Sequence, residues 1–280
     1  MKIAPYWERD VRCLGGVRYR LLAFSFRSQQ EAHQRLEAKA HLLQDFLAGS
    51  RSEQAAAYLR RELSRLNEQM PGNYKSAIAE EELLRLDEHN VITRNHYGAE
   101  VLNSDDTCFL DVDAFPPGLG ERLLAFLGRR RSAEERLLAA AQAFCSRRGG
   151  AAVRVYRTAR GWRLMVAAPG LAPSSPEARS LFAYFHVDAL YAALCRRQDC
   201  WRARLTPKPR RLGLAEPYPQ PPMPGHAADC AAAWLEHYRQ LGECVGVCRL
   251  VDSFGAPVHS PIVQEHDTRT SALSPDRRLA

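Results

Sequence analysis

Apolar and polar residues alternate through VRCLGGVRYRLLAFSF, residues 11–26, and Gly15-Gly16 divides the run, which predicts a β-hairpin. The period then changes. Ser28 opens a capping box that closes on Glu31, and a helix is expected to run to about Ala48, with Gly49 just past its end. A second helix is predicted from Ser52 to Gln69, stopped by Pro71-Gly72, and a third over roughly 78–88. Residues 1–90 therefore read as a mainly helical region.

From Asn90 the pattern favours strands. VITRNHYGAEVLN alternates, with Asn95 to Gly98 able to turn a hairpin, and TCFLDVD is a further strand. PPGLGE is a loop, and Ser132 to Glu135 is a second capping box, whose helix ends at Gly149-Gly150. VRVYRT and WRLMVAA form two strands joined by Ala159–Gly161. Helices are expected from Ser175-Pro176 to about Phe185, over Asp188–Arg197 and over 226–242, the last followed by the β-rich VGVCRLVD. That order predicts an antiparallel sheet covered by helices, an α+β fold. Residues 91–255 would be one domain, with Pro217–Pro224 a Pro-rich connector. Residues 256–280 lack apolar periodicity and are expected to form a mobile tail.

Composition adds little until charge is located. The chain of 280 residues is 46% hydrophobic and 25% charged, ordinary values for a globular protein. No segment has the length and apolarity of a membrane span, and MKIAPYWERDVR lacks the apolar core of a secretory signal, so a cytoplasmic protein is expected. The net charge is +7. Seven basic residues and one acid fall within 196–211, an excess almost equal to that of the whole chain. Such a cluster favours a polyanion, DNA or RNA. Arg202 and Arg204 would share one face of a strand, Pro207 and Pro209 would stiffen the chain around Lys208 and Arg210, and Trp201 would be placed to stack on a base. The bland alternative is a solvated basic loop.

The chemistry concentrates at TCFLDVDAF, residues 107–115. In a strand, Asp111 and Asp113 point to one face. Two carboxylates side by side repel unless a cation lies between them. Spacing alone leaves two readings open, a Mg²⁺ or Mn²⁺ site or a strand end facing water. Aspartyl-nucleophile phosphatases continue such a motif with Gly-Thr, whereas Ala114-Phe115 follow here. Y-family polymerases share the letters DVDAF, but Pro116-Pro117 stand where their second aromatic would be.

VYRTARGWRLMV, residues 155–166, extends the pattern. An apolar strand ending in D-x-D, a T-x-x-G-x hairpin, a basic segment and a further strand ending in Asp occur in that order. They are FLDVD, Thr158 to Arg163, RARLTPKPRR and CRLVD. This order resembles archaeo-eukaryotic primases and primase-polymerases. The resemblance covers about residues 91–255 and implies an RRM-like palm, divalent metal on Asp111, Asp113 and Asp252, and nucleoside triphosphate on Arg157, Thr158 and Arg163. It also implies nucleic acid on the basic segment and metal-dependent nucleotidyl transfer. Arg163 stands where that family has a histidine; it can bind phosphate bidentately but has no imidazole chemistry, the mark of a diverged or inactive member.

Two rival readings remain. One is a non-catalytic nucleic-acid-binding protein that uses the same basic segment; the other is a protein–protein adaptor working through the N-terminal helices. Among the eight cysteines, Cys195-x4-Cys200 and Cys244-x3-Cys248 could supply four thiolates to zinc, but neither has the usual two-residue spacing. No Walker A, G-x-G-x-x-G or G-x-S-x-G motif occurs, so P-loop, Rossmann and serine-hydrolase readings lack support.

Overall fold

The computed structural model describes residues 1, 3–49, 52–68, 78, 80–118, 131–168, 171–220, 223–257 and 260–280. The N-terminal hairpin is present: β1 (Tyr6–Leu14) and β2 (Val17–Ser25) pair antiparallel across Gly15-Gly16. Both glycines have positive φ, the left-handed backbone that a two-residue hairpin needs. α1 (Gln29–Ala48) begins at Ser28, whose hydroxyl accepts from the Glu31 amide. Its Leu36, Ala40 and Leu43 pack on Leu21 and Ala23 of β2. α2 (Glu53–Glu68) follows. The expected stop at Pro71-Gly72 and the end of the PPGLGE loop lie outside the described residues.

The third N-terminal helix is not formed. Residues 81–85 are a strand, β3 (Glu81–Arg85), paired with β4 (Asn90–Arg94). The apolar spacing of Leu83, Leu84 and Leu86 is short enough to suit either period, and pairing with β4 decides. Leu83 packs inward while Leu84 is left exposed. Among the described residues of 1–90, strands β1, β2 and β3 thus stand beside the helices α1 and α2.

β4 and β5 (Glu100–Ser104) form the hairpin expected around Asn95–Gly98, and β9 (Trp201–Arg204) pairs with β5 to give the sheet β3-β4-β5-β9. A second sheet takes β6 (Cys108–Val112), β7 (Ala152–Thr158), β8 (Trp162–Ala167) and β12 (Cys248–Gly255) in the order β12-β7-β8-β6, all antiparallel. Between these strands run α3 (Ala133–Arg147), α4 (Pro176–Tyr184), α5 (Ala189–Gln198), a 3₁₀ turn (Pro209–Leu212), β10 (Met223–Pro224), α6 (Gly225–Gly242) and β11 (Val245–Gly246). Ser132 closes its capping box at α3, and Ser175 caps α4. One core joins both sheets: Ile92, Leu102 and Trp201 from one, Phe109, Leu110, Val155 and Leu164 from the other, with Leu137 and Leu181 from helices. The α+β expectation holds. No helix among the described residues is long and apolar enough to cross a membrane.

The C-terminal segment overturns the expectation of a mobile tail. Ser260 caps α7 (Pro261–Thr270), which buries Ile262 and Val263 in the main core, and Ala272 follows them there. β13 (Arg278–Leu279) then pairs with β11. Composition hid this helix because its inner face is partly polar: His266, Asp267 and Thr270 are all buried, each with a partner. Such groups are tolerated inside when hydrogen-bonded.

His266 Nε2 lies 3.4 Å from Arg163 Nη1 and its Nδ1 3.0 Å from Asp267 Oδ1. A guanidinium only donates, so Nε2 accepts and the proton sits on Nδ1. Burial, with Arg163 adding to it, lowers the His266 pKa to about 4. Unfolded histidine titrates near 6.5, so between those values the unfolded chain binds a proton that the folded chain refuses. Stability attributable to His266 is present above pH 6.5 and is lost, by about 3 kcal/mol, as pH falls toward 4. Urea titrations across that window should show a steeper decline for wild type than for His266→Gln; identical slopes would mean that α7 is not docked.

Candidate functional site

β6 and β8 are adjacent, and their register puts Asp111 opposite Arg163 and Val112 opposite Trp162. Along β6, Val112 is buried; Asp111, on the same face as Arg163, is partly exposed, and Asp113, just past the end of the strand, is exposed. The T-x-x-G turn is pressed against them. Thr158 Oγ1 accepts from the Gly161 amide at 3.1 Å. A Cβ on Gly161 would stand 2.3 Å from the Val112 carbonyl oxygen and 2.9 Å from Asp113 Cα. Only glycine allows the turn to approach the D-x-D backbone this closely. Thr158 is therefore a turn-closing residue.

Arg163 is 1% exposed. Its Nε donates to Asp111 Oδ1 at 3.2 Å, and its Nη1 donates to the Arg204 carbonyl at 2.9 Å and faces His266. The guanidinium is thus an internal counter-ion to Asp111 and does not present itself to a ligand, contrary to the nucleotide-binding role that the resemblance implies. Tyr191 adds a second tie, its single hydroxyl proton shared between the carbonyls of Phe109 and Arg202, whose oxygens lie 2.7 and 3.0 Å away. These bonds bring β6 of one sheet against β9 of the other.

The basic segment divides. Trp201 is fully buried, its Nε1 bonded to the Leu171 carbonyl, so it has no free face for a base. Arg202 is 9% exposed and forms a two-pronged pair with Glu80, both oxygens at 2.6 Å, while Nη1 donates to Gln198. It is committed to the protein and does not track a strand. Arg204 differs. Its guanidinium makes no hydrogen bond or ion pair among the described residues, and its Nε is buried without a partner. Burial and the nearby Arg163 lower its pKa to about 10, against the through-space pull of Asp111. Lys208 and Arg211 are lowered too, first by burial and then by the mutual repulsion of Arg204, Arg211 and Arg160. Arg210 is exposed on the 3₁₀ turn.

Arg157 lies apart, stacked 4.5 Å over the Trp162 ring and 3.6 Å from Glu134. Asp252 is also displaced. It lies on β12, paired with Val155 of β7, and three strand spacings separate β12 from β6, about 14 Å. It does not join Asp111 and Asp113. The cysteines are free; Cys195, Cys200 and Cys248 are buried, and burial pushes the Cys195 and Cys200 thiols up to about 11 and 12.

A cleft of about 560 Å³ opens beside this cluster, with Asp111, Arg202, Arg204 and Glu80 among its lining, together with Tyr97, Leu190 and Leu194. That volume is in the range that holds a small ligand. Sequence reasoning missed Glu80, Tyr191 and His266. The S-P start of α7 was a usable signal for His266; the pairing of Glu80 with Arg202, 122 residues away, had none. No family model matches this chain, and neither the curated proteins nor the solved structures yield a match.

Removing Asp111 would leave Arg163 buried without its counter-charge. Asp111→Ala should cost about 3 kcal/mol, whereas the double variant Asp111→Ala/Arg163→Met should cost less than Asp111→Ala alone. Denaturant unfolding of the four proteins checks this, and an additive result would contradict the pairing.

Proposed function

We propose that the cleft binds the phosphates of a nucleotide, free or at the end of a nucleic-acid strand. Arg204 carries this reading: a largely buried cation with no bonded partner, facing a ligand-sized cleft. A buried charge left uncompensated is costly, and a ligand phosphate supplies both the charge and acceptors matched to a guanidinium. Lys208, Arg211 and Arg160 extend the positive surface, which suits several phosphates better than a single carboxylate.

The resemblance to primase-polymerases supports the same reading through the D-x-D strand, the glycine turn against it and the basic segment beside it. It weakens at the palm. An RRM-like sheet keeps its first strand in the interior, whereas β6 lies at an edge of its sheet. It weakens also at the third acid, since Asp252 is remote. Metal-dependent nucleotidyl transfer is the second reading, favoured by the pair Asp111 and Asp113 facing the cations. Asp111 keeps one oxygen clear of Arg163, and with exposed Asp113 it fits one Mg²⁺ or Mn²⁺ held jointly with ligand phosphates. The pair does not fit a three-acid, two-ion centre. Such an ion would neutralise phosphate charge; Asp111 and Asp113 would hold it, and Arg204 and Lys208 would orient the phosphates.

Calorimetry with ATP tests both readings. Binding should be present in wild type, fall steeply with salt, and weaken about tenfold or more in Lys208→Ala/Arg211→Ala. Mn²⁺ should tighten it in wild type and not in Asp113→Asn, and a labelled single strand should compete. Absence of ATP binding with and without Mn²⁺ would overturn the proposal. Binding indifferent to Mn²⁺ would remove the transfer reading and keep phosphate binding. An adaptor would show no salt-sensitive affinity at all.

A further inference from the structure

The cleft has an apolar rim that phosphate binding does not use. Leu190 is 82% exposed, Tyr97 60% and Leu194 36%, and all three line the same cavity as Arg204 and Asp111. Large apolar side chains left in water around one cavity mark a binding surface. The two sides come from different elements. Tyr97 sits in the β4–β5 turn; Leu190 and Leu194 lie one helical turn apart on α5.

The backbone that carries Tyr97 is fixed by its turn. Asn95 Oδ1 accepts from the amides of Tyr97 and Ala99 at 3.0 and 3.1 Å. Gly98, at φ +86°, lets the turn seat against α6, since a Cβ there would lie 2.7 Å from the Trp234 ring. The His96 ring backs Tyr97, with centroids 3.7 Å apart. The opposite wall is registered to the acids, because the Asp188 amide at the start of α5 donates to the Asp111 carbonyl at 3.0 Å. The cleft therefore offers an aromatic face on a fixed turn, an aliphatic face and a cationic floor. The ligand that complements it has a flat apolar body and an anionic end.

We propose that this rim is a base-binding subsite, where a nucleobase stacks on Tyr97 beneath Leu190 and Leu194 while its phosphates reach Arg204. The proposal rests on the nucleotide reading above. Glu80 and Gln198 also line the cleft, but Arg202 occupies both Glu80 oxygens and the Gln198 carbonyl oxygen. With those acceptors engaged, the proposal assigns base recognition to stacking on Tyr97, which tolerates any base.

Calorimetry with ATP, UTP and inorganic tripolyphosphate separates the subsite from the phosphate floor. Tyr97→Ala should weaken ATP about tenfold or more, leave tripolyphosphate unchanged, and be rescued by Tyr97→Phe. Leu190→Ser, at an exposed position, should weaken ATP several-fold, and UTP should bind within a few-fold of ATP. If tripolyphosphate binds wild type as tightly as ATP and Tyr97→Ala changes neither, the subsite is overturned while the phosphate reading stands. Equal loss of both ligands in Tyr97→Ala also overturns it, because the turn then supports the floor and not a base. If neither ligand binds wild type, the phosphate reading fails first and the subsite with it.

Discussion

A single buried guanidinium joins the two halves of this fold. Arg163 reaches Asp111 on its neighbouring strand, the Arg204 carbonyl in the other sheet and His266 on the C-terminal helix. A charge with almost no access to water is stable only when its donors are satisfied and its counter-ion is close. Those demands fix how β6, β9 and α7 meet. They also shape the cleft. Asp111 gives one oxygen to Arg163, and Arg204 gives only its carbonyl. Its guanidinium is left as a second cation close by, without a bonded partner, so the positive character of the site follows from the clamp itself.

Local signals in the chain were reliable where they were self-sufficient. The Gly15-Gly16 hairpin, the Ser28 and Ser132 caps, the Asn95–Gly98 turn and the strand ending in Asp111-Val112-Asp113 each depend on residues within a few positions, and each is formed. The T-x-x-G-x-R hairpin beside D-x-D was legible too, and the structure supplies its reason in the contact of Gly161 with the Val112 and Asp113 backbone. Residues 81–85 were misread as helix because their strand partner, not their own pattern, decides their state.

The site was harder to read, because charge in a sequence does not reveal its counter-ions. Arg202 and Arg204 look equivalent two residues apart, and both border the cleft. Glu80 consumes the first, and the second has no bonded partner. Trp201 looks like a stacking residue next to basic neighbours, yet it fills the core between sheets. Asp252 ends an apolar strand like Asp111 does, but strand order puts it on the far side of the sheet. His266 lay in a polar stretch whose inward face became visible only when its partners, Asp267 and Arg163, were in place.

The central claim is that Arg204, and not Arg163, is the guanidinium that receives a ligand phosphate. Nitrogen NMR of the arginine Nε–H groups during an ATP titration tests it most directly. The account predicts that the Arg204 resonance shifts strongly as its orphaned donor gains a partner, while the Arg163 resonance, held on Asp111, moves little. A saturable shift at Arg163 with Arg204 unmoved would contradict it.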